Sequence, residues 1–370
     1  MTREKRGSVV VYTGPEQEPE HQRTSHHEVA RRLASLLGRA FAGEYDASAN
    51  YRESLYFVPI DAIVIDEARR LGIRDEHDLF GGVVSQPFMA TKAIAHPLCG
   101  NHATAPPGWS EDFCRRVSDA VLTGYSAFSL EDAHAAGLRL LECGPARIKS
   151  VRATAGRGQA AVSDAADLTR VLNTLDAEEV AIHGLVLEEH LADVTTYSVG
   201  QVRVGEYQAS YYGTQHLTED NEGAMVYGGT DLVVTRGDFE ALLALELPVE
   251  ILRVIAQALV FDTAATECFP AFFASRRNYD VACGSDARGN RRVGVLEQSW
   301  RIGGASSAEV VALEALQATP APRVVSASSH EIYGTKKTPP SDATILYSGV
   351  DADVGPITKC VTVNAYDDKQ

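Results

Sequence analysis

Two apolar rhythms alternate along this chain. Short unbroken apolar runs read as buried strands, and apolar residues spaced three and four apart read as helix faces. The first run, Ser8–Tyr12 (SVVVY), stops at Thr13-Gly14-Pro15, where Gly and Pro punctuate a strand end. A helix is expected next, with Ser25 as N-cap and with Val29, Leu33, Leu36, Leu37 and Phe41 on one face. A second run, Leu55–Ile65, and a short helix at Asp66–Leu71 give a βαβ-like opening over roughly ninety residues. Thr91–Leu98 reads as a short helix carrying Lys92, and Asn101–Trp109 as a Pro-rich connection. Helices follow at Asp112–Thr123 and Leu130–Leu141, the second capped by Ser129.

The rhythm then turns to strands. Ala146–Val151 and Gln159–Val162 read as a hairpin, Asp164–Leu175 as a helix, and Val180–Glu188 and Thr196–Val204 as strands. Tyr207–Asp231, rich in Gly and Tyr, reads either as a substrate loop or as ordinary strand and turn. Asp238–Leu245 and Val249–Asp262 read as helices, the segments around Tyr279 and over Val293–Gln298 as strands, and Ala343–Tyr347 as a late strand. No internal repeat is visible.

At 370 residues the chain exceeds one compact core, so two or three domains are expected. A net charge of −16 argues against a nucleic-acid backbone as partner, though local Lys and Arg can still hold a small anion. The six cysteines are scattered without a CxxC pair, which argues against a zinc site or a disulfide frame. With no signal-like core and no long apolar span, the sequence reads as cytoplasmic and without a membrane partner. The βαβ opening lacks GxGxxG, no Walker A loop is present, and Gly124–Phe128 lacks the second Gly of a nucleophile elbow. His26-His27-Glu28 reads as a solvated helix start.

Three segments carry the candidate chemistry. In Arg291–Ser307, strand alternation puts Glu297, Ser299 and Arg301 on one face, oxygens for a hard cation beside a fork for phosphate. Asp280, on the preceding strand of a hairpin, would lie near Glu297; paired carboxylates call for a cation or a shared proton. Lys149 precedes the loop Ala153–Gly158, whose glycines let backbone N–H groups approach phosphate. The apolar strand ending in Glu188-Glu189-His190-Leu191 presents carboxylates and backbone groups at its tip. Arg276 and Arg277 read either as ligands for a substrate carboxylate or phosphate, or as a surface pair.

The order Lys92, Lys149 with its Gly loop, the Glu188 strand, Asp280, Glu297 and Arg301 resembles the ATP-grasp superfamily. EQSWRIGG resembles that family's Glu-x-Asn-x-Arg metal strand, and the chain is similar to an uncharacterised bacterial ATP-grasp-like branch. The resemblance spans roughly residues 90–310 and implies an α/β (α+β) class with the ATP-grasp fold. It implies a small pre-ATP-grasp domain at 1–90, a nucleotide-binding domain at 91–320 hinged near 188–191, and a C-terminal extension at 321–370.

By the same resemblance, Lys92 and Lys149 would hold ATP phosphates, and Thr154, Gly156 and Gly158 would belong to the flap over them. Glu188, Glu189 and Leu191 would meet the adenine; Asp280, Glu297 and Ser299 would bind Mg²⁺; Arg301 and Lys149 would be catalytic. Ser299 departs from the family's Asn, and the usual ribose acid after the hinge is missing. The implied activity is an ATP- and Mg²⁺-dependent ligase joining small-molecule carboxylate and amine substrates, with a homodimer as an option. A phosphotransferase and an inactive nucleotide-binding module are the alternatives.

Overall fold

A computed structural model describes residues 7–14, 18–151, 158–318 and 323–365. Strand β1 (Ser8–Tyr12) leads to helix α1 (Glu20–Leu36), then to β2 (Ala40–Glu44) and β3 (Leu55–Pro59), which flank β1 in a parallel sheet. The helix starts earlier than Ser25: Pro19 ends the extended segment, and Ser25 lies inside α1 with Oγ donating to the His21 carbonyl. It also ends before Phe41, because Gly38 turns left-handed (φ 64°) and Phe41 enters β2. The run expected as one strand over Leu55–Ile65 is broken after Pro59 into β3 and β4 (Ile63–Val64), followed by α2 (Ile65–Leu71) and β5 (Gly82–Val84).

Two 3₁₀ turns, Pro87–Ala90 and Lys92–Ile94, lead into α3 (Glu111–Val117) and the lid layer. Here β6 (Gly124–Ala127), α4 (Leu130–Leu141), β7 (Ala146–Ser150), β8 (Gln159–Val162), α5 (Ala165–Leu172), α6 (Ala177–His183) and β9 (Leu185–Glu189) follow one another. Their strands form an antiparallel sheet in the order β6-β9-β7-β8, and α4 and α5 pack against it. Val180–His183 is helical, not extended as its apolar residues suggested. Gly184 (φ 88°) stops α6 where any Cβ would strike Ala93 and Phe128, and the strand begins at Leu185.

The rest of the chain builds one large sheet. Strands β10 (Ala192–Val204), β11 (Tyr207–Glu219) and β12 (Met225–Arg236) come first, then α7 (Phe239–Leu243), α8 (Val249–Cys268) and β13 (Phe273–Ala274). Then follow β14 (Arg276–Ser285), β15 (Arg291–Ser299), α9 (Ser306–Ala318), β16 (Val324–Tyr333), β17 (Thr344–Asp351) and β18 (Gly355–Ala365). Eight of these strands pair antiparallel in the order β15-β14-β10-β11-β12-β16-β18-β17. Strand alternation gives the sheet two buried faces. Tyr279, Val281 and Cys283 face the core with α8, while Ala209, Tyr211, Leu232 and Val234 face a second core with α9 and α1. The Gly/Tyr-rich stretch is thus the β11–β12 hairpin, and the residues after 321 complete the sheet. The His21 N–H donates to Asp351 at 3.0 Å, tying α1 to the end of β17.

Gly200 on β10 is paired with Tyr211, whose ring lies across it; a Cβ there would come within 2.3 Å of the Tyr211 hydroxyl. Gly200→Ala should therefore destabilise the protein by about 1–3 kcal/mol through overpacking. The urea midpoint reports this, and an unchanged midpoint would contradict the close approach.

Candidate functional site

The β14–β15 hairpin puts Asp280 directly opposite Glu297 and Asn278 opposite Ser299. Cross-strand partners sit about 4.5–5.5 Å apart at Cβ, so the two carboxylates share one small space. Lys92 Nζ lies 2.7 Å from Glu297 Oε2. Its 3₁₀ turn is capped by Thr91, which accepts from the Ala93 N–H, and Gln298 ties the same segment to β15 by donating to the Met89 and Thr91 carbonyls. Burial, followed by the charge of Glu297, pushes Asp280 up to about 6, even though Asn278 donates to it at 2.9 Å. On Glu297 burial acts in the same sense, but Lys92, Lys149 and Arg301 together outweigh it and hold this carboxyl below the usual range. Three predicted cations therefore act on one predicted acid.

Lys149 lies on β7, 3 % exposed, and is ion-paired with Glu188, 1 % exposed on β9. His96 approaches the other Glu188 oxygen at 3.4 Å. Burial opposes ionisation of Glu188, but Lys149 and then His96 prevail and hold it at about 2. The Glu188 side chain thus shares a face of the lid sheet with Lys149, opposite the face packed by α4 and α5. The next residues pin the crossing from lid to central sheet. Glu189 takes Arg292 at 2.7 Å and the Thr123 N–H, its own N–H reaches the Thr123 carbonyl, and the His190 N–H reaches the Pro145 carbonyl. Leu191 is buried with Leu122 and Ala282. Gly158 accepts from the Ser150 N–H and closes the hairpin; Thr154 and Gly156 lie outside the described residues.

Arg276 and Arg277 are not a surface pair. Arg277 reaches Asp262 on α8 at 3.1 Å. Arg276, 1 % exposed, meets Glu309 on α9 through two bonds of 2.9 and 2.6 Å. Its remaining arm donates to the Ser299 carbonyl, the Ser299 hydroxyl and the Arg301 carbonyl. Ser299 thus faces a guanidinium, whereas Arg301 donates only to the Ile302 carbonyl among the described residues. Glu309 also accepts from the Tyr211 hydroxyl at 2.6 Å; that oxygen lies 3.0 Å from Asn278, which in turn holds Asp280. Glu309 and His96 were missed in the sequence. An acid set among Ala and Val at the start of α9 was the available signal for Glu309; His96 offered none.

The donor set fits Mg²⁺. This ion is commonly held by one or two carboxylates, with phosphate oxygens and water completing the octahedron. Asp280 and Glu297 supply two carboxylates, and the raised Asp280 pKa records, beside burial, a repulsion that a cation would relieve. Among the described residues no cluster of three or more His, Cys, Asp or Glu offers a cage independent of such a ligand.

Two outcomes follow. Because folding raises the Asp280 pKa, the folded chain binds this proton more tightly than the unfolded chain, and stability falls as pH climbs from the ordinary aspartate value to about 6. Without metal, Asp280→Asn should then be more stable than wild type by about 1–2 kcal/mol near pH 7.5, with the gap closing toward about pH 4; denaturation at both pH values checks this. Glu309→Gln weakens the counter-charge of a fully buried guanidinium and should lose up to about 3–5 kcal/mol, while Arg276→Met with Glu309→Leu together should regain much of it. A double variant no better than either single one would refute this account.

Among the described residues no helix is long and apolar enough to cross a membrane. The chain is similar to phosphoribosylamine–glycine ligase from Thermotoga maritima, at 13 % identity over 96 % of this chain and 92 % of that one, with a TM-score of 0.52. It is also similar to carboxyaminoimidazole ribonucleotide synthase from Aspergillus clavatus, solved with ATP, at 12 % identity over 97 % and 94 %, with a TM-score of 0.51. N5-carboxyaminoimidazole synthetase from Staphylococcus aureus matches at 11 % identity over 98 % and 95 %, with a TM-score of 0.50. These likenesses establish the fold, which is ATP-grasp. No curated protein matches the chain. One family model, described as "Protein of unknown function (DUF3182)", matches residues 9–361. With nearly the whole described chain inside that match, the protein belongs to the DUF3182 family and carries the ATP-grasp fold.

Proposed function

We propose that the protein is an ATP-dependent ligase that joins a carboxylate to an amine through an acyl-phosphate. The observation that carries this reading is the in-register Asp280–Glu297 pair with the charges of Lys92, Lys149 and Arg301 converging on it. A phosphoryl group in transfer needs positioning and charge neutralisation more than covalent help. The segment 188–191 would present its backbone to the adenine. Lys149 has three N–H donors, so its bond to Glu188 leaves others for a phosphate oxygen, and Lys92 would act in the same way. Asp280 and Glu297 would hold Mg²⁺, which when bound offsets charge on the β- and γ-phosphates. Ser299, engaged by Arg276, would support the strand end and not the ion.

The substrate carboxylate oxygen would attack the γ-phosphorus, and the bond from that phosphorus to the β–γ bridging oxygen breaks to release ADP. Arg301 would neutralise the transferred group. The amine nitrogen then attacks the acyl carbon, phosphate leaves with the C–O electron pair, and the nitrogen gives up its proton to solvent.

Calorimetry with ATP, with and without Mg²⁺, tests the reading. Wild type should bind ATP in a Mg²⁺-dependent manner, and Lys149→Ala and Glu297→Gln should each lose that binding. In turnover assays each should cost on the order of 10²–10³ in rate. A correctly folded wild type that ignores ATP would remove the nucleotide reading, and a stable phosphorylated product without need of an amine would make the protein a phosphotransferase.

A further inference from the structure

One short segment reaches both halves of the site. From its 3₁₀ turn Lys92 sends Nζ to Glu297 on β15, and a few residues later His96 brings Nε2 to 3.4 Å from Glu188 Oε2 on β9. The segment is clamped along its length. The Ser126 N–H donates to the Pro97 carbonyl at 3.0 Å, the Ser126 hydroxyl to the Ala93 carbonyl, and the Cys114 thiol to the His96 carbonyl at 3.6 Å. The His96 ring is fully buried, and its seat is built into the lid sheet. Gly124 on β6 is the register partner of Glu188, and a Cβ there would come within 2.9 Å of His96 Cε1 and 3.0 Å of Glu188 Cβ. Cross-strand partners present their side chains on the same face, so a glycine at 124 leaves the space the ring fills.

The two oxygens of Glu188 are divided between two partners. Lys149 takes Oε1 and His96 takes Oε2. Arg147, opposite Glu188 on β7, turns instead to Gln159 and to His190, each at 3.1 Å. An ionised carboxylate only accepts, so the ring proton that faces it is on Nε2. Nδ1 is buried and meets no partner among the described residues, which leaves Glu188 as the polar side chain the imidazole serves. A buried ring with one nitrogen bare gains little stability of its own from a single long bond. Its effect falls on Glu188. Without the Nε2 proton, Oε2 would have only the Lys149 ammonium to turn to, and that ammonium would be drawn across both oxygens. With it, Lys149 stays on Oε1 and keeps its other N–H donors clear.

We infer that His96 is a positioning residue for the nucleotide: it occupies the second oxygen of Glu188 and so holds Lys149 with donors free for phosphate. This rests on the ligase reading above and adds to it the residue that sets the orientation of Lys149. Because Lys92 and His96 belong to one clamped segment, any shift of that segment moves the partner of Glu297 and the partner of Glu188 together. The central sheet and the lid sheet are kept in step at this point.

The test is calorimetry of Mg²⁺–ATP binding on the full chain, with urea midpoints to confirm folding. Three substitutions separate the donor from the ring. His96→Gln carries an amide N–H to the level of Nε2, His96→Asn carries it only to the level of Nδ1, and His96→Leu has none. Leu and Asn should each raise the Kd for Mg²⁺–ATP about 10–100-fold, as expected for one hydrogen bond to a buried charge, while Gln stays within about threefold of wild type. Should the Leu variant fail to fold, the comparison of Asn with Gln carries the same information. A histidine with a packing role alone would lower the urea midpoint in all three variants and leave the affinity of the folded protein alone, or would lose affinity in Gln as much as in Asn. Either result would overturn the inference while leaving the nucleotide site standing. Absence of ATP binding in wild type would instead remove the ligase reading, and the role of His96 with it.

Discussion

Arg276 and Glu309 meet in the dry space between β14 and α9, and both halves of the site are tied to them. Removing two charges from water carries a penalty of several kcal/mol per ion, and it is offset only when the geometry is good and the remaining hydrogens are used. Here they are used: one arm of the guanidinium holds the Ser299 and Arg301 carbonyls, and Glu309 reaches Asp280 by way of Tyr211 and Asn278. The end of β15 that aims Arg301 and the point on β14 that aims Asp280 thus share one anchor. A rotation of α9 would disturb both at once.

Around that satisfied pair stands a deliberately unsatisfied one. Asp280 and Glu297 face each other in register, and the fold does nothing apolar to separate them. The lysines do not cancel the repulsion evenly. Lys92 relieves Glu297, while Asp280 stays reluctant to ionise. Repulsion of this kind is retained where a ligand is meant to remove it, and strongly shifted acids in a cleft are the usual mark of such places. Behind them Trp300 packs on Phe272, with ring centroids 4.1 Å apart, in the core shared with Tyr279.

Much of this was legible in the sequence, and the exceptions have physical causes. Val9, Val10 and Val11 announce a buried strand, and alternation correctly put Asp280 and Glu297 on facing positions of a hairpin. Lys92, singled out by the family resemblance, and Lys149, by the Gly-containing loop after it, both lie buried in the structure. What failed was whatever depends on distant partners. The glycines of Tyr207–Asp231 left loop and strand both open there, yet Gly213 and Gly229 lie where a Cβ would strike the backbone of a neighbouring strand. Val180 and Ile182 looked extended because a short amphipathic helix and a short strand bury similar apolar counts. Nor does anything local reveal that Arg276, well back along the chain, meets the Ser299 hydroxyl.

The contact between His21 and Asp351 spans 330 positions of sequence. It joins helix α1 to strand β17, which is made more than three hundred residues later. Until β17 and β18 exist, α1 has no Asp351 to receive its N–H and lacks part of the sheet against which its Leu33 face is buried. The N-terminal layer therefore cannot reach its final seat until β17 and β18 have been made, and it waits with an apolar face uncovered. Such late, long-range closure slows folding and lengthens exposure to aggregation.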